Sequence, residues 1–128
     1  MAICRTVDMS FFDTAPKVFT NTLEIDASAG TIFASFQRAE DWPLWVDSIA
    51  NVEWKTPTPF GIGTTRRVTF TNDKFADELF IAWQEDKQMA FCFTETDQPG
   101  THAFAEDYQL TELPGGRCKL VWRVAFDP

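Results

Sequence analysis

Residues 17–45 read KVFTNTLEIDASAGTIFASFQRAEDWPLW, and a change of period inside this stretch decides the fold. From Lys17 to Asp26 the side chains alternate. Val18, Thr20, Thr22 and Glu24 fall on one side, and Phe19, Asn21, Leu23 and Ile25 on the other, the period of a β-strand. Asp26-Ala27-Ser28 then offers capping oxygens, and Ile32, Phe33 and Phe36 recur at helical spacing. A short amphipathic helix is predicted from Ser28 to Gln37. Gly30 and Thr31 lower its intrinsic propensity, so packing has to hold it. Asp41-Trp42-Pro43-Leu44-Trp45 follows at once. Proline is tolerated in the first helical turn, where its missing N–H would be unpaired anyway. A second short helix is therefore expected to run to about Ser48, with Asp41 as its cap. Trp42 and Trp45 stand three apart, on one face, and Ile49 continues it.

Outside this stretch the chain is strands and turns. NVEWK (51–55), TRRVTFT (65–71), ELFIAWQ (78–84), MAFCFTE (89–95), THAFAEDYQLTEL (101–113) and CKLVWRVAF (118–126) read as strands. In the last of these Leu120, Trp122, Val124 and Phe126 share one face. TPTPFGIG (56–63), TNDKFAD (71–77), Glu85-Asp86-Lys87-Gln88 and Gln98-Pro99-Gly100 separate them as loops and turns, and Leu113-Pro114-Gly115-Gly116-Arg117 is a hairpin turn. The order is strand, two helices, then about six strands, which gives an α+β domain built on one long curved antiparallel sheet of about seven strands. Residues 1–16 show no period and are expected to form an irregular arm, with Phe11 and Phe12 docking on the domain. Residues 17–128 form the single domain.

Composition removes several function classes. The chain has 128 residues and a formal net charge of −8, and its longest basic run is Arg66-Arg67. Neither nucleic acid nor an anionic membrane surface is an expected partner. Cys4, Cys92 and Cys118 lie far apart, with no metal or redox spacing. Gly61-x-Gly63 lacks the third glycine and the following helix of a dinucleotide site. No cofactor or metal is expected. No basic segment followed by an apolar run opens the sequence, and no apolar stretch reaches about 18 residues, so a cytoplasmic location is expected. Thirteen phenylalanines in so short a chain imply either a very aromatic core or a cavity walled with rings.

A strand ending Ile25-Asp26-Ala27, a helix with Ile32-Phe33, then Asp41-Trp42-x-x-Trp45, then Gly61-Ile62-Gly63 feeding an antiparallel meander resembles the START-like (SRPBCC) superfamily. The likeness is to its bacterial polyketide cyclase/dehydrase group, and it runs from Lys17 to Phe126. Leu113-Pro114-Gly115-Gly116 matches the turn before the last strand, and Trp122 follows it. The resemblance implies a helix-grip fold, with a cavity between the sheet and the helices. In that family a long C-terminal helix closes the cavity, whereas this sequence stops at Asp127-Pro128. The apolar concave face would then lie open, which leaves three readings: a trimmed sequence, a second chain over the face, or aromatic side chains collapsed inward. The expectation is the second, as self-association, most simply in a symmetric dimer.

No nucleophile signature is present. His102, the only histidine, is a general-base candidate, with a solvated position after Pro99-Gly100-Thr101 as the alternative. If alternation holds, His102, Phe104, Glu106, Tyr108 and Leu110 share the inward face. Glu106 would then be a carboxylate among rings, with burial raising its pKa; the alternative for Glu106 is an ion pair with Arg67 or Arg123. Trp42 and Trp45 read as core anchors pinning the helix to the sheet; the alternative, compatible with it, is that one ring also lines the pocket. The first functional reading is a small hydrophobic ligand (lipid, quinone, polyketide or aromatic) bound among Phe33, Phe36, Trp42, Trp45, Phe70, Phe91, Phe93, Phe104, Tyr108 and Trp122, with Glu106 or Arg67 as the polar contact. The second is an acid/base enzyme of the cyclase/dehydrase kind using Glu106, Tyr108 and His102. The third is a protein-interaction module whose cavity is filled by its own side chains.

Overall fold

The computed structural model describes residues 2–128. The long strands are β2 (Lys17–Ile25), β3 (Ile49–Trp54), β4 (Thr65–Phe70), β5 (Phe75–Gln84), β6 (Gln88–Thr96), β7 (Ala103–Leu113) and β8 (Arg117–Asp127), preceded by a two-residue β1 (Ala2–Ile3). They form one antiparallel sheet in the order β2-β8-β7-β6-β5-β4-β3. Most connections of the meander from β3 to β8 are short, and the longest is the loop of residues 55–64 between β3 and β4. The first long strand then closes against the last, with Lys17 opposite Phe126 and Ile25 opposite Cys118. At the final hairpin Gly115 and Gly116 both have positive φ, 82° and 72°. That left-handed pair is what a tight turn matching the strand twist requires.

Between β2 and β3 lie α2 (Ala29–Gln37), a 3-10 turn (Ala39–Asp41) and α3 (Trp42–Trp45). Ser28 caps α2: its Oγ accepts the Thr31 amide at 3.1 Å. Ile32, Phe33 and Phe36 face the sheet and are buried, so packing offsets the weak propensity of Gly30 and Thr31. The second helix departs from the sequence expectation. It is one turn long and ends at Trp45, and Asp41 makes no capping bond. The Asp41 carboxylate instead accepts from Ser35 Oγ at 2.6 Å and Arg38 Nε at 2.9 Å. That tie fixes the corner between the two helices and leaves Ile49 free to open β3.

Both faces of the sheet are covered near its middle. On the concave face the core gathers α2, Trp42, Phe80, Phe91 and Leu120. On the convex face Ala103, Ala105 and Ala125 form a flat floor on which Phe11 and Phe12 lie, both 5 % exposed. Methyl side chains there leave room for two rings. The arm is thus less irregular than its sequence suggests. It supplies β1 and the single-turn helix α1 (Phe11–Thr14). It enters where β6 and β7 part: β7 pairs with Gln88–Cys92, whereas β1 pairs with Glu95 and Thr96. Arg5 N completes the seam by donating to His102 O at 2.8 Å. β2 differs too, since the first eight of its nine residues are exposed. Two register shifts mark the β5–β6 pairing, with Thr94 the extra residue on β6 and Ile81 on β5, as in β-bulges. Glu78 and Phe80 share the buried face of β5 with Ala76 by period-two alternation. No helix among the described residues is long and apolar enough to cross a membrane.

Candidate functional site

A cavity of about 240 Å³ lies between α3 and the concave face. Its apolar walls include Trp42, Val68, Phe70, Phe91, Phe93 and Phe104. Period-two alternation delivers them: Phe91 and Phe93 on β6, and Phe104, Glu106 and Tyr108 on β7, point the same way. Cross-strand neighbours complete the wall, with Phe91 opposite Glu106, and Tyr108 opposite Trp122. The Tyr108 and Trp122 rings stack at 5.8 Å, and Phe93 and Phe104 at 4.3 Å.

Four polar side chains sit in this apolar shell. Arg66 and Glu78, opposite one another on β4 and β5, form an ion pair at 2.7 Å with side chains 1 % and 3 % exposed. The guanidinium carbon lies 4.6 Å from the Trp42 ring centroid, 4.8 Å from Phe91, 5.1 Å from Phe80 and 5.3 Å from Trp54. Such a box favours a cation stripped of water. Only Nε meets Glu78. Nη1 is buried and has no hydrogen-bond partner among the described residues. Burial pushes the Glu78 carboxyl up to about 7, against the opposing pull of Arg66.

Glu106 is the other carboxyl. Its Oε1 accepts from Trp122 Nε1 at 2.8 Å and Tyr108 Oη at 3.0 Å. Burial raises its pKa, while the two hydrogen bonds and the Arg66 charge pull it down. Burial, together with the Glu106 carboxylate, raises Tyr108 well above its ordinary value, so the phenol stays a neutral donor. The site can therefore present one fixed cation, two carboxyls of raised pKa and one phenol to whatever enters.

The remaining sequence-nominated residues divide. Trp42 is 2 % exposed, donates Nε1 to Phe36 O at 2.9 Å and shows a face to the cavity. It is both anchor and wall. Trp45 is 39 % exposed and donates to Ser35 Oγ at 2.9 Å. It lines a recess of about 80 Å³ next to the cavity, together with Phe36, Leu23 and Trp122. Phe33 packs edge-on against Phe36 and Trp83 and belongs to the core rather than the cavity lining. Arg67 is a correction. It lies on the opposite face of β4, doubly bonded to Asp77 at 2.7 and 2.9 Å and stacked over Phe75. Arg66 takes the inward place because it shares parity with Val68 and Phe70. His102 is a second correction. It is exposed, with Nδ1 2.8 Å from Pro128 O, because β7 begins one residue later, beyond the cavity. The ion pair considered for Glu106 does not form either, since Arg123 binds the buried Asp107 on the convex face at 2.7 Å.

Arg66 and Glu78 were missed by sequence reasoning. The signal was present in Arg66-x-Val68-x-Phe70 and in Ala76-x-Glu78-x-Phe80, each a charge in phase with apolar residues. A larger groove, about 710 Å³, opens near Ser28, Asp86 and Gln109. Its lining is mostly solvated polar side chains, so the smaller aromatic cavity is the better candidate.

Residues 17–128 match the family described as "Polyketide cyclase / dehydrase and lipid transport". An uncharacterized protein of Mycobacterium tuberculosis strain H37Rv is 40% identical over 122 residues, spanning 95% of this chain and 72% of its own length. A Mycobacterium bovis uncharacterized protein matches to the same extent. Among solved structures, a START superfamily protein from Mycobacterium smegmatis superposes with a TM-score of 0.73 at 16% identity, over 86% of this chain and 76% of that one. The ginseng (Panax ginseng) major latex-like protein 151 gives 0.70 at 11% identity, over 87% and 78%. At these identities the two structures speak to the fold, which is the START-like helix grip.

Proposed function

This chain belongs to the polyketide cyclase/dehydrase and lipid transport family, and from that premise we propose that it binds a small, mainly apolar molecule in the cavity between α3 and the concave face of the sheet. The observation that carries the reading is the pairing of an aromatic wall with a few converging polar groups, the usual make-up of a small-molecule site. The cavity has the volume of roughly eight waters, which suits a ligand of one or two rings, with any longer part emerging past Trp45. Native mass spectrometry of the purified chain, beside a titration with the uncharged dye N-phenyl-1-naphthylamine, tests it. A co-purified mass lost on denaturation, or dye fluorescence that rises and saturates, is expected. A clean apo mass together with no dye response would overturn the reading.

One observation favours a second reading, proton-transfer catalysis of the cyclase/dehydrase kind: Glu106 has a raised pKa and a phenol at 3.0 Å. Turnover of a candidate polyketide lost in Glu106→Gln, with affinity for an apolar dye retained, is the outcome expected of an enzyme. Self-association is a further part of the proposal. Phe19 and Leu23 on β2 are 56 % and 51 % exposed; Leu23 lines the recess beside Trp45 and Trp122, and a second copy laid over that concave side would cover them. A monomeric mass by light scattering at micromolar concentration counts against it.

A further inference from the structure

The cavity continues past both of its ends. On the α3 side, the recess of about 80 Å³ beside Leu23 and Trp45 shares Trp42, Val46, Tyr108 and Trp122 with it. On the opposite side, a recess of about 320 Å³ lined by Gln98, Pro99 and Thr101 shares Phe70, Phe93 and Phe104 with it. The three follow one another along the last two strands. Phe104, opposite Phe126, borders the far recess. Glu106, opposite Val124, lies in the middle, and Leu120, opposite Leu110, borders the near recess. From Phe104 to Leu110 a strand runs about 20 Å. Phe104, Trp122 and Val124 along this floor are only half-buried, so the recesses make one groove on the concave face.

Glu106 stands near the middle of that groove. Trp122 and Tyr108 both donate to its Oε1. Its Oε2 has no hydrogen bond among the described residues, yet it keeps accessible surface, whereas the unpaired Arg66 Nη1 is buried. Glu106 thus offers one open oxygen to the groove it lines. Neither end recess carries a charged side chain. Resting on the binding reading above, we infer that the ligand is an elongated apolar molecule with one uncharged hydrogen-bonding group in its interior, placed at Glu106 Oε2, with one apolar arm toward Trp45 and the other toward Pro99. A polar group at the end of the ligand could reach Glu106 only by leaving one recess unfilled, and the apolar surface there would stay in water.

Three alcohols of one formula test this: 1-decanol, 3-decanol and 5-decanol, each competed against N-phenyl-1-naphthylamine. A hydroxyl both donates and accepts, so it meets the carboxyl in either protonation state, and the series reads position alone. The expected order has 5-decanol tightest, by about tenfold over 1-decanol, the scale of one hydrogen bond, with 3-decanol between. Glu106→Leu should flatten the series, and Arg67→Met, on the other face of β4, should keep it. The parent series decides by itself should Glu106→Leu fail to fold. Affinities within about threefold of one another would overturn the inference, as would displacement by none of the alcohols while the dye binds. Tightest binding of 1-decanol would overturn it in favour of a terminal polar group at Gln98 or Thr101. Each of these results leaves the binding reading standing. Failure of the dye itself to bind, with a clean apo mass, would overturn the binding reading and this inference with it.

Discussion

Replacing Arg66 by methionine should be among the more damaging single changes in this protein, and its cost should depend on pH. The side chain is 1 % exposed and its partner Glu78 3 %, so the variant strands a carboxyl in an aromatic shell. Removing one member of a buried pair costs about 3–5 kcal/mol, a large part of the roughly 5–15 kcal/mol that holds a typical domain. In the parent protein the Glu78 carboxyl is raised from 4.5 to about 7. The folded chain then binds that proton more tightly than the unfolded chain. Its contribution to stability is fully present below about 4.5, declines as pH rises through the interval, and levels off above about 7. At ~1.4 kcal/mol per pH unit the decline amounts to roughly 3 kcal/mol. Without Arg66 the downward pull is gone, so the folded pKa moves higher and the decline continues past neutrality. Urea unfolding followed by tryptophan fluorescence at pH 5.5 and pH 8 should show the Arg66→Met penalty widening at the higher pH. The double variant Arg66→Met/Glu78→Leu should recover most of the loss, because two apolar side chains can replace a buried pair at little cost. A penalty of the same size at both pH values, with no recovery in the double variant, would refute the reasoning.

Other outcomes follow from the same geometry. Arg67→Met should change urea stability by less than about 1 kcal/mol, since its pair with Asp77 is half exposed, and should leave dye affinity unchanged. Phe33→Ala should cost about 3–5 kcal/mol in urea unfolding, because the ring is fully buried behind the cavity wall. Trp122→Phe removes one of two donors to Glu106; the carboxyl's pKa should rise further, visible as an upward shift in its carbon-13 NMR titration.

The sequence disclosed most where a period ran uninterrupted. β7 and β8 are eleven residues each, and the apolar residues in phase along them, Phe104-x-Glu106-x-Tyr108-x-Leu110 and Leu120-x-Trp122-x-Val124-x-Phe126, assign Glu106, Tyr108 and Trp122 to one face; α2 announces itself through Ile32, Phe33 and Phe36. The adjacent arginines of β4 were harder. Only one can point inward, and the choice turns on parity with Val68 and Phe70. Instinct favours the exposed reading for any arginine, because a buried charge is rare without a partner, and that partner, Glu78, lies on another strand. Asp107 was illegible for a related reason. A charge on the convex face looks solvated until Phe11 and Phe12 cover the sheet, and the arm bearing them has no period from which docking can be read. His102 shows the limit of parity itself: phase was correct, but the strand began one residue too late to use it.

The pairing of β2 with β8 has a temporal consequence. Ile25 is opposite Cys118, so during synthesis at about 5–20 residues per second the first long strand waits roughly 5–20 s for its partner to be made. Through that interval its backbone donors have no neighbour. The interspersed Thr20, Asn21, Thr22 and Glu24 make it a poor template for another nascent chain, since polar and charged side chains on an edge oppose stray pairing. A strand that looks indifferent to the core in the finished molecule is suited to being the element that must stay soluble longest.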